Sequence, residues 1–223
     1  MRESDAGAAG NGGTLDAVTA AVIGFASATA LGDERRLAAR SRHALVVAVP
    51  PVWMDELLLQ SVLMVGYPRA LVAAAVWRQV SGIRAPATDQ SFAESGELWR
   101  QRGEETCGVV YGANYQRLRE NVRALHPALD AWMITEGYGR VLSRPGLELL
   151  RRELCTIAQI AVLGSPHQLH SHMRGALHAG ATPGMVAAVL AIADPDLAEG
   201  AREVAGQTLA RVTGTVKRPG SSD

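Results

Sequence analysis

Residues 31–58, LGDERRLAARSRHALVVAVPPVWMDELL, align without gaps on residues 163–190, LGSPHQLHSHMRGALHAGATPGMVAAVL, at an offset of 132 (31 onto 163). The identical pairs are Leu31/Leu163, Gly32/Gly164, Leu37/Leu169, Arg42/Arg174, Ala44/Ala176, Leu45/Leu177, Pro51/Pro183 and Leu58/Leu190. Each copy reads as helix, glycine turn, helix, then a helix opened by proline. The glycine permits the tight reversal, and a proline at the first helical position gives up no hydrogen bond. Two such units in one chain predict an all-α, pseudo-symmetric fold. Composition agrees: 37 alanines, 48% hydrophobic residues and only 4% aromatics suit closely packed helices better than sheets. No stretch shows a convincing two-residue alternation.

The expected organisation runs as follows. Residues 1–13, MRESDAGAAGNGG, form a disordered tail; 14–81 hold a degenerate first repeat; 82–98 are a linker, introduced by SGIRAPATDQS at 81–91. Residues 99–213 hold the second repeat with a lead-in at 99–137, and 214–223 form a second disordered tail. The uncharged stretch 17–32 superficially resembles a secretory signal. The segment before it sets Arg2 against Glu3, Asp5 and Asp16, which is acidic where a signal needs basic residues. It is also short for a membrane span, so it reads as a soluble core helix.

Charge removes several functional classes. Lys plus Arg is 22 and Asp plus Glu is 22, so the basic excess of a nucleic-acid binder is missing. The one lysine, Lys217, lies in the polar tail, which argues against Schiff-base chemistry. Cys107 and Cys155 make neither a CxxC pair nor a zinc-cysteine cluster, and the expected compartment is the reducing cytoplasm.

Polar chemistry concentrates in the second copy. A helix over about 146–163 has an apolar stripe through Leu147, Leu150, Leu154 and Ile157, with Glu153 at its edge. Glu153 reads either as a partly desolvated acid or as an edge glutamate bonded to backbone or arginine. The next helix, about 165–180, carries His167, His170, His172 and His178. At 100° per residue His172 falls on the inward arc, His170 on its border, and His167 and His178 outside. No two are four residues apart, so no metal site is expected. His172 alone is either a satisfied core histidine or a catalyst.

The segment 138–190 resembles the carboxymuconolactone decarboxylase family, a branch of the alkylhydroperoxidase-like all-α superfamily. The resemblance rests on SRPGL, the REL helix, the Leu-Gly turn, Q-L-x-x-H, R-G-A-L and the G-A-T-P helix start. Residues 51–78 resemble the C-terminal part of the family's unit. The peroxidase branch has a Glu, eleven residues, C-x-x-C, three residues and a His; here those positions are Glu153, Ser165, Gln168 and His172. Acid and histidine are kept and both thiols are gone, so no disulfide-cycling peroxidase activity is expected. In the first copy the same positions hold Ala21 and Arg40, which leaves one active site per chain.

The resemblance implies a helical bundle that decarboxylates a carboxylated unsaturated lactone, or a similar small acid, without a cofactor. His172 is then the expected proton donor and Glu153 its partner. Arg144 is expected either at a substrate carboxylate or capping a helix, and Ser165 and Gln168 either line the pocket or cap and solvate the helix start. Tyr67 is expected as a wall from the first copy. Alternative readings are a recruited biosynthetic proton-transfer enzyme and a non-catalytic binding protein. The resemblance also implies a homo-oligomer, trimeric or other, and from charge and hydropathy no nucleic-acid or membrane partner is expected.

Overall fold

A computed structural model of the chain describes residues 9–10 and 14–214. The fold is all-α. Its first unit is α1 (Ala17–Leu31), α2 (Glu34–Val46) and α3 (Pro51–Ser81). A helical insertion follows: α4 (Gly96–Tyr111), α5 (Tyr115–Leu125) and α6 (Pro127–Trp132), which runs on into a π-helical segment, Met133–Leu142. The second unit is α7 (Leu149–Leu163), α8 (Pro166–His178), α9 (Pro183–Ala193) and α10 (Glu199–Val212). Two short strands, Ala9–Gly10 and Thr14–Leu15, pair antiparallel ahead of α1. The remaining residues of the two expected tails lie outside the described residues, apart from Gly214 at the end of the fold.

The duplication is visible in the helix boundaries. Starts at 17, 34 and 51 recur at 149, 166 and 183, and α1 and α2 end at 31 and 46 where α7 and α8 end at 163 and 178. Gly32 and Gly164 close α1 and α7 in the same left-handed conformation, with φ of 78° and 67°. Even the break between α9 and α10 has a counterpart. Helix α3 kinks at Gly66 (φ 72°, ψ 170°), which matches residue 198, immediately before α10. By length and composition α3 would qualify as a membrane span. The kink divides it, and its first half buries Glu56 and Gln60 against α7.

The helices that match between the two units begin at Leu149 in the second, and the helices over 96–142, which include the lead-in at 99–137, have no counterpart ahead of α1 among the described residues. The linker is shorter than 82–98. Ser95 caps α4 by accepting from the Leu98 amide at 3.2 Å, and a 3₁₀ turn spans Gln90–Ala93.

The main core forms where the two units meet. Helix α1 is apolar on all sides, and Thr19–Ala30 are buried almost without a break among α2, α3, α7 and α9. Asp16 caps it, accepting from the Thr19 amide at 2.8 Å, a contact of about 1 kcal/mol. A second, smaller cluster joins α4 to the π segment through Cys107, Val110, Ile134, Tyr138 and Leu142. These backbones approach so closely that a Cβ on Gly103 would lie 2.0 Å from the Ile134 oxygen, and one on Gly139 1.8 Å from the Trp99 oxygen.

Two stability predictions follow from this arrangement. Ala48 has a φ of 57°, and its counterpart in the second unit is Gly180, at 101°. A left-handed alanine costs about 1–2 kcal/mol, partly offset by the greater unfolded-state entropy of glycine. Ala48→Gly should therefore raise stability by about 0.5–1 kcal/mol, read as an increase in denaturant midpoint. Arg144 holds the Asp89 carboxyl well below the usual carboxylate range, chiefly by hydrogen bonding. The folded chain thus takes up this proton at lower pH than the unfolded chain. The stabilisation is complete above about pH 4 and is lost as pH falls toward the folded value. Wild type and Asp89→Asn should differ most in unfolding free energy near neutrality and converge on acidification.

Candidate active site

Three consecutive charged residues on α7, Arg151, Arg152 and Glu153, are all buried. Successive residues on a helix point 100° apart, so each meets a different neighbour. Arg151 stacks over the Trp53 ring, 4.1 Å from its centroid, and donates to Thr19 Oγ1 at 2.9 Å. Arg152 donates to Glu56 at 2.7 Å and to the Leu147 carbonyl at 2.9 Å. Glu153 faces α8.

There Glu153 Oε2 lies 2.9 Å from His172 Nδ1. Glu153 is completely buried and His172 is 8% exposed, so the pair meets out of water with one edge of the imidazole reachable. With Nδ1 engaged, Nε2 is the ring nitrogen left for chemistry. Glu153 Oε1 is buried with no hydrogen-bond partner among the described residues. The carboxylate fits only because residue 175, one turn along α8, is glycine. A Cβ there would sit 2.9 Å from Oε2 and 2.6 Å from Val110 Cγ1 of α4.

His172 forms part of the wall of a cavity of about 670 Å³. Three sources build that wall. Helix α3 supplies Val62, Leu63 and Met64; the insertion supplies Leu118, Val122, Leu129, Trp132, Met133 and the paired Tyr111 and Tyr138; α8 supplies His167, Gln168, Ser171 and His172. The surface is mainly apolar, and among the described residues no arginine lines it. Tyr111 and Tyr138 meet edge to face with centroids 6.3 Å apart. Burial pushes the Tyr111 phenol up to about 12 and Tyr138 well above its ordinary value. Both therefore stay protonated near neutral pH and keep a hydroxyl proton.

The residues singled out by sequence separate into two groups. Glu153, His172 and Gln168 come together, with Glu153 behind the cavity wall and the other two in it. Ser165 sits immediately before α8, outside the lining. Arg144 is not available to a substrate carboxylate. Its Nε and Nη2 take Glu56 at 3.0–3.1 Å, and its Nη1 and Nη2 take Asp89 at 3.2 and 2.7 Å. Tyr67 is 68% exposed and faces an adjoining groove with Arg144 and Phe92, so the wall from the first unit comes from its neighbours one turn earlier. His167, expected to point away, lines the cavity, whereas Nδ1 of His178 is bonded to the Val110 carbonyl at 2.9 Å.

Sequence reasoning passed over Tyr111, Tyr138 and Trp132. One signal was present: in a chain with four tyrosines, three stand between 111 and 138. Burial also pushes both thiols, Cys107 and Cys155, up to about 12, so neither supplies thiolate near neutral pH. Replacing Gly175 by Ala should displace Glu153 and Val110, destabilising the chain by about 1–3 kcal/mol. Gly206→Ala, where a Cβ meets nothing within 4 Å, is the control and should be neutral or stabilising in the same denaturant titration.

A search of curated proteins returned no match to this chain. The model of the carboxymuconolactone decarboxylase family matches residues 1–79 and 116–209, taking in both repeats with α5, α6 and the π-helical segment, and leaving out all of α4. With the tandem helical units and the Glu153–His172 pair in the second of them, the chain belongs to the carboxymuconolactone decarboxylase family.

Proposed function

We propose that the chain is a cofactor-independent, decarboxylase-type lyase that uses the His172–Glu153 pair to handle a proton. The observation that carries this reading is the buried carboxylate bonded to Nδ1 of a histidine whose ring edges an apolar cavity.

Loss of CO2 from an acid conjugated to a carbonyl leaves the bonding electrons as an enolate. Two things are then needed: a donor to the developing oxyanion and a proton for carbon. The protonated phenols of Tyr111 and Tyr138 suit the first task, and a well-placed donor of this kind is worth about 3 kcal/mol. Nε2–H of an imidazolium at His172 suits the second. Glu153, aligned on Nδ1, fixes the ring, and solvent restores the proton after release. General acid catalysis of this sort contributes roughly a hundredfold to ten-thousandfold.

The size and apolar lining of the cavity favour a bulkier substrate than a small, multiply charged lactone. This supports the second reading, a recruited enzyme that decarboxylates, cyclises or isomerises a larger intermediate by the same proton transfer. CO2 release by purified protein, assayed on γ-carboxymuconolactone and on bulkier unsaturated lactone acids, tests decarboxylation under either reading. On the accepted substrate, His172→Ala and Glu153→Gln should each lower turnover by at least about a hundredfold while remaining folded. Full turnover in His172→Ala would remove the mechanism.

A further inference from the structure

A second cavity, of about 230 Å³, lies beside the His172 cavity and shares Tyr111, Leu118 and Ser171 with it. Its other walls are chemically different. Arg117, Asn114 and Asn121 come from the insertion, and Arg174, His170 and His178 come from α8; among the described residues no carboxylate lines it.

The arginines in this cavity stand apart from their neighbours. Within the insertion, Arg100 pairs with Glu97 and Glu104, Arg102 with Glu94, Arg119 and Arg123 with Asp130, and Arg140 with Glu136. Arg117, between these pairs on α5, has no carboxylate within ion-pair distance among the described residues. Neither has Arg174 on α8. Two guanidiniums and two imidazoles thus border one small space with amide and hydroxyl donors beside them. That set matches an oxyanion, whose oxygens accept from planar guanidinium forks.

We propose that this cavity is an oxyanion-binding site, which takes the carboxylate or phosphate end of a ligand between Arg117 and Arg174. If the larger cavity is the active site, as read above, the two together fit one molecule with an apolar body and a charged end. A free oxyanion bound as an effector is the other source of the same chemistry.

His170 reports on the site without any assay of turnover. Burial, together with Arg174, Arg211 and His167, holds its imidazole below the ordinary value. An anion between the arginines offsets that positive charge, so the titration midpoint of His170 must rise. The test follows the His170 ring signals by NMR on the full chain, with inorganic phosphate, acetate or octanoate added at constant ionic strength set by chloride. The expected result is a saturable rise of roughly 0.5 pH unit that is abolished in Arg117→Ala/Arg174→Ala. Arg174→Gln, which keeps a polar, hydrogen-bonding side chain but removes the charge, should weaken it by about tenfold or more, as expected for loss of a charge-assisted hydrogen bond. Octanoate binding more tightly than acetate identifies one ligand spanning both cavities; equal affinities identify a free anion. No response in the wild type, or the same response in the double variant, overturns the site whether or not the lyase reading stands.

Discussion

The structure depends on the fully buried guanidinium of Arg152. It reaches from α7 to Glu56 of α3, and also takes the carbonyls of Leu147 and Arg144 in the loop ahead of α7. Arg144 meets the same Glu56 and passes the connection on to Asp89. A buried charge without a partner is strongly destabilising, and removing one side of such a pair typically costs about 3–5 kcal/mol. The network therefore holds three parts in one arrangement: the first unit, the segment joining it to α4, and the start of α7. Glu153 is the next residue along. The orientation of the acid toward α8 is tied to the ion pair that its neighbour makes about 100° round the same helix.

Duplication supplies the frame, and divergence supplies the site. The equivalent helices α1 and α7 pack against each other at the pseudo-symmetric junction of the two units. The positions matching Glu153 and His172 hold Ala21 and Arg40 in the first unit. Arg40 there lies along Gly24, 3.1 Å from where a Cβ would be, and fills space with its side chain. The insertion adds what neither repeat has. It covers Glu153 through Val110 and Cys107, and it places Tyr111, Tyr138 and Trp132 around the cavity. The π-helical segment matters here because its wider turn lets the backbone of Gly139 approach that of α4, bringing Tyr138 into the wall. Such irregular turns commonly accompany functional sites.

Much of this was legible in the sequence. Glycine and proline act through the backbone and need no tertiary context, so the turn at Gly164 and the helix openings at Pro51 and Pro183 could be read directly. Helical periodicity likewise placed His172 on the inward arc. The same reasoning misjudged His167, because inward was defined by the core stripe of α8 and not by the insertion lying over another part of that helix. It also left Arg144 open to a ligand. Glu56 and Asp89, 88 and 55 residues away in sequence, fill its fork, and no local pattern reveals a partner at that separation.

The sequence by itself determined the helical class, the duplication, the register of its helices and the one unit that retains both acid and histidine. Those properties are written in local backbone preference and in spacing along a single helix. Tertiary structure alone decided what surrounds the histidine: an apolar cavity with two tyrosines, a basic pocket behind them, and arginines divided between ion pairs and open space. The physical reason is that burial and charge pairing depend on which distant segments arrive at the same place. In this chain that was settled by an insertion between the repeats, whose position no repeat pattern encodes.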